Sequence, residues 1–242
     1  MDSKPTVEVC FSPDRFHLYY QSQPIVVVID VLRATTAMCV ALEYGVEKII
    51  PVSTLEEATE YQRMGFLVGA EREGQVVDGF LFGNSPVGFM TDQYKGKTIV
   101  LTTTNGTRAI NTASKAKTVV AGSFVNMDSI NRFLADKQED VLLLCSGWKD
   151  RFNLEDTICA GGFVDYLIRE GSHVCNHDSS VAAKYLYQSA RDNYMGFLKS
   201  SSHRRRLKKL NLQEDIKFSL KPNQTTVIPI LVEGELVKLD GY

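Results

Sequence analysis

Short apolar runs alternate with polar loops and helical stretches along this chain, and that repeat constrains the fold more than any other feature. The run IVVVI at 25–29 predicts a strand buried on both faces. Residues 35–43 predict a helix that stops near Gly45. The pattern then recurs, with strands predicted at 48–52, 98–102, 118–122 and 141–145. Helices are predicted after a cap at Ser53 or Thr54 and at 107–114, 128–136 and 155–169. Strands alternating with helices pair in parallel, so we expect a three-layer α/β/α fold with a mainly parallel, mixed sheet.

The C-terminal third departs from this repeat. Residues 178–210 predict mostly helix, and residues 226–239 predict a strand, a turn at Gly234 and a second strand. Pro229 inside that run indicates an edge strand or an interrupted ladder. Because no low-complexity linker is present, we expect a single domain over 1–242. Its C-terminal helical and hairpin extension would form any separate lobe from about residue 178.

Composition excludes several classes of protein. The 242 residues are 44% hydrophobic with a formal net charge of −2, which gives no whole-chain electrostatic case for nucleic acid or acidic membranes. No apolar run is long enough to predict a membrane span, and the N-terminal residues do not resemble a signal peptide. The 5 cysteines form no CxxC pair, which argues against a disulfide framework. We therefore expect a cytoplasmic protein that binds neither nucleic acid nor membrane.

Polar residues collect in the loops that follow the apolar runs, where sites form in open α/β sheets. Asp30, directly after IVVVI, is well placed to hold Mg²⁺, and Arg33 can fork onto two phosphate oxygens. The alternative is a helix cap with a surface salt bridge.

A second polar loop, Thr102-Thr-Thr-Asn-Gly-Thr-Arg108, follows the apolar run TIVL. Its hydroxyls, amide, glycine and arginine open a helix, which is a composition typical of oxyanion binding. The loop lacks the GxxxxGK spacing of a nucleotide P-loop. The alternative is an ordinary threonine-rich turn.

Three further clusters complete the predicted rim. Cys145-Ser-Gly-Trp148 precedes the pair Glu155-Asp156, whose carboxylates could bind a metal or simply suit a helix N-terminus. Glu71-Arg72 repeats the pairing of acid and guanidinium, and Gly83-Asn-Ser-Pro86 is either a binding loop or a turn.

Three arginines, Arg33, Arg72 and Arg108, each follow a predicted strand beside acids or hydroxyls. If the strands are parallel and adjacent, the three side chains face one rim together with the carboxylates. Guanidiniums combined with carboxylates indicate a divalent cation that bridges phosphate oxygens. The basic run at 203–209 predicts a solvated helix face, or a lid that lends charge to the substrate mouth, rather than a nucleic-acid patch.

Several of these strings resemble one known family, the 2-phosphosulfolactate phosphatases of coenzyme M biosynthesis. The matching strings are VVVIDVLRATT, GAEREG, GFLFGNSP, LTTTNGTRA, VLLLCSGW and FNLEDTICAGGFVDYL. The similarity is close over about 24–170 and weaker to residue 242. It implies a Mg²⁺-dependent phosphatase that converts 2-phospho-3-sulfolactate, a small anionic phosphorylated 2-hydroxy acid, to 3-sulfolactate and phosphate.

The resemblance also implies most of the site positions that follow, while the division of roles among them, and the inclusion of Ser146 and Gly147, are inferred from the chemistry of the residues. The expected catalytic residues are Asp30, Arg33, Arg108, Glu155 and Asp156. The expected Mg²⁺ ligands are Asp30, Glu71, Glu155 and Asp156. The expected substrate-binding residues are Arg72, Asn84, Ser85, Thr103, Thr104, Asn105, Gly106, Thr107, Ser146 and Gly147. The chain departs from the family pattern at Ala70, Glu73 and Ser146, which puts the substrate preference in question.

Three questions stay open at the level of sequence: the attacking group, the reaction and the assembly. The attacking group is a metal-activated water, Asp30 as an aspartyl nucleophile without the second aspartate of DxDxT, or Cys145 with Arg151 six positions later. The protein could act on a different phosphate ester, or bind organic phosphates without catalysis. A homodimer is the default assembly for an enzyme of this size.

Overall fold

The computed structural model describes residues 4–19 and 23–242. In that part of the chain ten strands form one sheet. The strands are β1 Val7–Cys10, β2 Ile25–Ile29, β3 Lys48–Pro51, β4 Leu67–Arg72, β5 Gln75–Val76, β6 Thr98–Thr102, β7 Thr118–Gly122, β8 Val141–Cys145, β9 Pro229–Val232 and β10 Glu235–Lys238. The α-helices are α1 Ala34–Glu43, α2 Leu55–Arg63, α3 Gly106–Ala113, α4 Met127–Lys137, α5 Leu154–Arg169, α6 Asp178–Ala190, α7 Tyr194–Phe197, α8 Ser202–Lys209 and α9 Gln213–Ser219.

The sheet consists of two parallel halves joined by an antiparallel hairpin. The strand order is β1-β8-β2-β7-β9-β10-β3-β6-β4-β5. Strands β1, β8, β2 and β7 are mutually parallel, as are β3, β6 and β4. The hairpin β9–β10 is paired with each half through one residue pair, Ile230 with Val120 and Leu236 with Ile49.

Alternate residues of the strands feed two cores on opposite faces. Val27 and Leu143 pack with residues of α4 and α5 on one face. Val28 and Leu144 pack with residues of α1 and α3 on the other face. Helices cover both faces of the sheet, so side chains on both sides of each strand are buried. The strands therefore appear in the sequence as unbroken apolar runs. The predicted three-layer α/β fold with a mixed, mainly parallel sheet is confirmed.

Most predicted elements agree closely with the observed ones. The predicted bounds of four helices in the repeat differ by no more than one residue from those of α1, α3, α4 and α5. Thr54 caps α2 through a reciprocal hydrogen-bond pair with Glu57, and the side chain of Asn153 caps α5. The region 178–210 is mostly helical, and the hairpin turns at Gly234, which has a φ of 85°.

The edge-strand interpretation of Pro229 is wrong. Strand β9 lies inside the sheet, between β7 and β10. Pro229 is the first residue of β9 and is the partner of Lys238 on the hairpin side, while the pairing with β7 is confined to Ile230. Proline has no N–H to donate, so it occupies a strand start where the neighbouring ladder is already interrupted.

All 5 cysteines are free, as predicted. Among the described residues, no helix combines the length and apolar character required to cross a membrane.

Candidate functional site

A narrow pocket lies where the end of β4 and the loops after β2, β4, β5, β6 and β8 meet helix α8. The strand end and the loops contribute Asp30, Leu32, Arg33, Glu71, Gly74, Asn84, Thr104, Asn105 and Trp148, and α8 contributes His203, Arg206 and Leu207. The free space is about 10 Å³, which is room for about one water molecule. The structure thus brings together residues from both halves of the sheet, in a conformation closed around the pocket.

Asp30 directly follows β2 and is buried. The Ala34 N–H donates to its Oδ1 at 3.3 Å, at the start of α1. Gly106 approaches so closely that a Cβ there would lie 2.8 Å from Asp30 Oδ2, which requires glycine at the start of α3. Burial raises the pKa of the Asp30 carboxyl to about 6, and the nearby His203 opposes that rise.

Arg33 is a buried residue whose partners come from distant parts of the chain. Its Nη1 lies 2.5 Å from Asp215 Oδ2 on α9, and its Nη2 donates to the Gly74 carbonyl at 2.8 Å. Ser85 donates to the other oxygen of Asp215 at 2.7 Å. Arg33 lines the pocket, but these contacts already occupy both of its terminal nitrogens.

Glu71, at the end of β4, turns its carboxylate into the pocket. Its oxygens accept hydrogen bonds from the Gly74 N–H at 2.5 Å and the Thr104 N–H at 3.2 Å. The neighbouring Arg72 points elsewhere and donates to the Glu71 carbonyl and to Thr102 Oγ1. Burial lowers the pKa of Arg72, and the guanidinium is absent from the pocket lining.

The threonine-rich loop after β6 divides into structural and pocket-facing members. Thr103 and Thr107 each accept the other's backbone N–H at 3.1 Å, which fixes the first turn of α3. Thr104 and Asn105 line the pocket. Arg108 is half-exposed and forms an ion pair with Asp150, so it too is absent from the pocket lining.

The two acids at the start of α5 face different partners. Glu155 is fully buried, with Oε1 at 2.6 Å from His203 Nδ1, and its Oε2 accepts from the Ser201 hydroxyl at 3.2 Å. Burial raises the Glu155 pKa, but the His203 and Ser201 contacts outweigh it and leave the pKa lowered.

Asp156 braces the loops around the pocket. Its carboxylate accepts from the Val31 N–H at 2.9 Å, the Gly147 N–H at 3.2 Å and the Asn153 side chain at 2.8 Å. Burial raises the Asp156 pKa well above its usual range, and these N–H donors oppose that shift. Ser146 lies in the same loop as Gly147, which Asp156 holds. The buried hydroxyl of Ser146 forms no hydrogen bond with the described residues.

The cluster Gly83-Asn-Ser-Pro86 contributes to the side of the pocket. Asn84 lines it, and the buried Oδ1 of Asn84 has no hydrogen-bond partner among the described residues. Ser85 is engaged by Asp215 and lines an adjoining cavity of about 320 Å³.

The basic residues of α8 are the main members of the pocket outside the predicted set. His203 and Arg206 enter the pocket beside Leu207, whereas Arg205 on the same helix is exposed. The positions i, i+3 and i+4 share one helix face, so the apolar Leu207, which is buried in the structure, is the signal in the sequence that could have identified His203 and Arg206 as inward-facing. Of the two interpretations of this run, the lid that lends charge to the pocket agrees with the observed positions of His203 and Arg206.

The pocket suits a divalent cation with few protein ligands. Within residues 4–19 and 23–242 no group of three or more His, Cys, Asp or Glu side chains is arranged to hold a metal. Asp30 and Glu71 line the same pocket without an ion pair to any described residue, and the unpartnered Asn84 Oδ1 lies in the same lining. Mg²⁺ is commonly bound by one or two carboxylates with waters and phosphate oxygens completing its shell, so these residues fit it.

Comparison with known proteins points to one family. Residues 10–234 match the model of the family described as 2-phosphosulpholactate phosphatase. The chain is 40% identical over 211 residues to the probable 2-phosphosulfolactate phosphatase of Thermotoga maritima, which covers 87% of this chain and 90% of the relative. The protein of the same name from Symbiobacterium thermophilum is 37% identical over 220 residues, covering 89% and 94%. That from Picosynechococcus is 38% identical over 217 residues, covering 88% and 90%.

Proposed function

Because the chain belongs to the 2-phosphosulpholactate phosphatase family, we propose that it is a Mg²⁺-dependent phosphatase that hydrolyses 2-phospho-3-sulfolactate to 3-sulfolactate and phosphate. The observation that carries the metal dependence is the pair Asp30 and Glu71, two carboxylates in one pocket, 7% and 6% exposed. Like charges buried together are costly unless a cation or protons compensate them. A phosphatase on a different phosphate ester remains the second candidate, because Ala70, Glu73 and Ser146 depart from the family strings.

Asp30, Glu71 and the Asn84 oxygen are the groups that would hold the ion. When bound, Mg²⁺ would supply positive charge that offsets the negative charge developing on the phosphoryl group. Backbone N–H groups already fix both carboxylates, Ala34 for Asp30 and Gly74 for Glu71, so little reorganisation is needed on binding. The contacts of Glu155 and Asp156 favour positioning roles for these two acids, while their prediction as metal ligands stays untested.

The rest of the pocket binds the phosphoryl group and excludes bulk water. His203 is oriented by Glu155 and donates to a phosphoryl oxygen from the α8 side. Thr104 and Asn105 present the first residues of α3 to the same group, where a helix N-terminus favours an anion. A water aligned opposite the ester oxygen attacks phosphorus, and the P–O bond to the hydroxy acid breaks. The attacking water gives up a proton and the alkoxide leaving group gains one, so the products are the hydroxy acid and phosphate.

The direct test measures phosphate release from 2-phospho-3-sulfolactate by the full chain. We expect turnover that EDTA abolishes and Mg²⁺ restores, and a loss of at least about 100-fold in kcat/KM for Asp30→Asn and Glu71→Gln, the order seen when a preorganised electrostatic group is removed. Glu56→Gln, an exposed acid on α2, is the control and should retain full activity. Turnover that survives EDTA would overturn the metal dependence.

Two further outcomes separate the alternatives. Binding of the ester without phosphate release would identify a non-catalytic binder of organic phosphates. An acyl-phosphate trapped on Asp30 by acid quench would replace water with Asp30 as the attacking group.

A further inference from the structure

Two guanidinium groups line the pocket, and they differ in how far their hydrogen-bonding capacity is used. Arg33 is neutralised by Asp215 at 2.5 Å and also donates to the Gly74 carbonyl. Arg206, from α8, has no comparable partner among the described residues. Its ion-pair contact in that part of the chain is with Glu73, whose Oε2 lies 4.0 Å from Nη1. Of the two guanidinium groups, that of Arg206 is therefore the one whose charge remains available to a ligand.

The surroundings of Arg206 fix its plane while leaving its donors free. The guanidinium carbon lies 3.3 Å from the centroid of the Trp148 ring. Glu73 also binds Lys149, at 2.7 Å, so the attraction between Glu73 and Arg206 is shared. The Nε of Arg206 is buried and has no hydrogen-bond partner in the described part of the chain. A buried donor without a partner is costly, which indicates that a ligand completes this group.

Arg206 is also less buried than Asp30 and Glu71. Its side chain is 26% exposed and that of its neighbour Glu73 is 57% exposed, whereas Asp30 and Glu71 are buried. Asp30 and Glu71 would hold the cation, whose positive charge would favour the phosphoryl group at this inner end. The fork of Arg206 then faces whatever the substrate carries at its outer end.

We propose that Arg206 binds a second anionic group of the substrate, a carboxylate or a sulfonate, and thereby makes the enzyme specific for phosphorylated acids over neutral phosphate esters. Trp148 acts as a positioning residue, because its ring holds the guanidinium in one plane. The planar fork of arginine matches the paired oxygens of either anion. This inference rests on the proposed phosphatase function and names the residue that recognises the acid part of the substrate.

Three esters with the same phosphoryl group test the proposal. Isopropyl phosphate has no second anion, phospholactate replaces one methyl group with a carboxylate, and 2-phospho-3-sulfolactate adds a sulfonate. The variants are Arg206→Gln, Arg206→Lys and the control Arg205→Gln, which removes an exposed arginine from the same helix. Kinetic constants for phosphate release are measured for every pair.

We expect Arg206→Gln to raise KM for the acidic esters by about 10- to 100-fold, the value of one charge-assisted hydrogen-bonding contact. Isopropyl phosphate should change by less than about 3-fold, because it lacks the recognised group. Arg206→Lys should recover part of the loss, and Arg205→Gln should behave as the unchanged protein. A loss for both acidic esters identifies the carboxylate as the bound group, and a loss for the sulfonated ester alone identifies the sulfonate.

An equal loss for all three esters would overturn the proposal, because Arg206 would then bind the phosphoryl group. Unchanged constants for all three would overturn it as well. Calorimetric binding of 3-sulfolactate, which has no phosphoryl group, provides a readout independent of turnover. We expect 3-sulfolactate to bind the unchanged protein and Arg205→Gln with equal affinity. We expect its affinity for Arg206→Gln to be lower by about 10-fold or more.

Binding also separates the two proposals. If no ester releases phosphate, the proposed function fails, and the 3-sulfolactate titration still tests Arg206. Replacement of Trp148 by Phe should preserve binding better than replacement by Ala, because an aromatic face remains under the guanidinium. Equal binding by both variants would remove the positioning role. A thermal melt of each variant shows whether a loss reflects unfolding instead.

Discussion

At the scale of single residues, chemical type was predictable from sequence but contact partners were not. Asp30 and Glu71 lie in the pocket, as the strand-end rule predicts. Arg33 also lies there, yet its charge is taken by Asp215, a residue 182 positions away. No local sequence pattern encodes such a pairing. Arg33, Arg72 and Arg108 therefore look equivalent in the sequence, although each has a different environment in the fold.

Cys145 illustrates how burial decides between chemical roles. The thiol is fully buried and absent from the pocket lining. Burial raises its pKa well above the ordinary range, and the nearby Asp156 raises it further. A pKa raised in this way keeps the thiol neutral at and above pH 7, so the nucleophilic thiolate does not form.

We therefore expect Cys145→Ala to retain kcat within about 3-fold, at a stability cost near the ordinary value of about 1 kcal/mol for a point substitution. Iodoacetamide at pH 8 should label the partly exposed Cys175 and leave Cys145 unmodified in intact-mass and peptide spectra. Labelling of Cys145 accompanied by loss of phosphate release would restore it as a nucleophile.

At the scale of elements, the C-terminal helices act as a wall of the site. Helix α8 contributes His203 and Arg206, and α9 contributes Asp215 to the buried pair with Arg33. The helical character of residues 178–210, which include α8, was predicted from the sequence, whereas α9 lies beyond that range. The location of these helices over the loops after β2 and β4 was not predictable, because the docking depends on contacts between residues far apart in the chain.

The pair Arg33–Asp215 ties α9 to the β2 loop, with both side chains 4% exposed. Asp215→Ala leaves a buried guanidinium unpaired, and we expect a loss of about 3–5 kcal/mol in the free energy of unfolding. Urea denaturation measures it, with the exposed neighbour Glu214→Ala as the matched control. The double variant Arg33→Met, Asp215→Leu should recover part of the loss, and no recovery would argue against charge burial as the cause.

At the scale of the whole molecule, the sheet is two parallel halves with a hairpin between them. The alternation of strands and helices was readable from sequence, while the insertion of β9–β10 at the centre was not. Strand order depends on which long-range pairing buries most surface, and the apolar pattern of 226–239 is compatible with an edge or a centre. The site lies at the junction because loops of both halves, Asp30 from one and Glu71 from the other, converge there.

The hairpin should accordingly carry much of the stability of the junction. Leu236 is fully buried and pairs with Ile49, so Leu236→Ala should cost about 2–5 kcal/mol, the usual range for a buried leucine. Val232, 47% exposed in the same hairpin, is the control, and Val232→Ala should change the free energy of unfolding by less than about 0.5 kcal/mol. Equal effects of the two substitutions would show that the hairpin is not a packing element.

The central position of the hairpin bears on the order in which the protein is made. During synthesis every strand from β1 to β8 leaves the ribosome before residues 229–238 exist, so no strand pairing joins the two halves of the sheet. The nascent chain therefore carries two unfinished sheet edges, and unpaired strands are prone to aggregation. Chaperone dependence should be concentrated in that interval and should end when the hairpin is released.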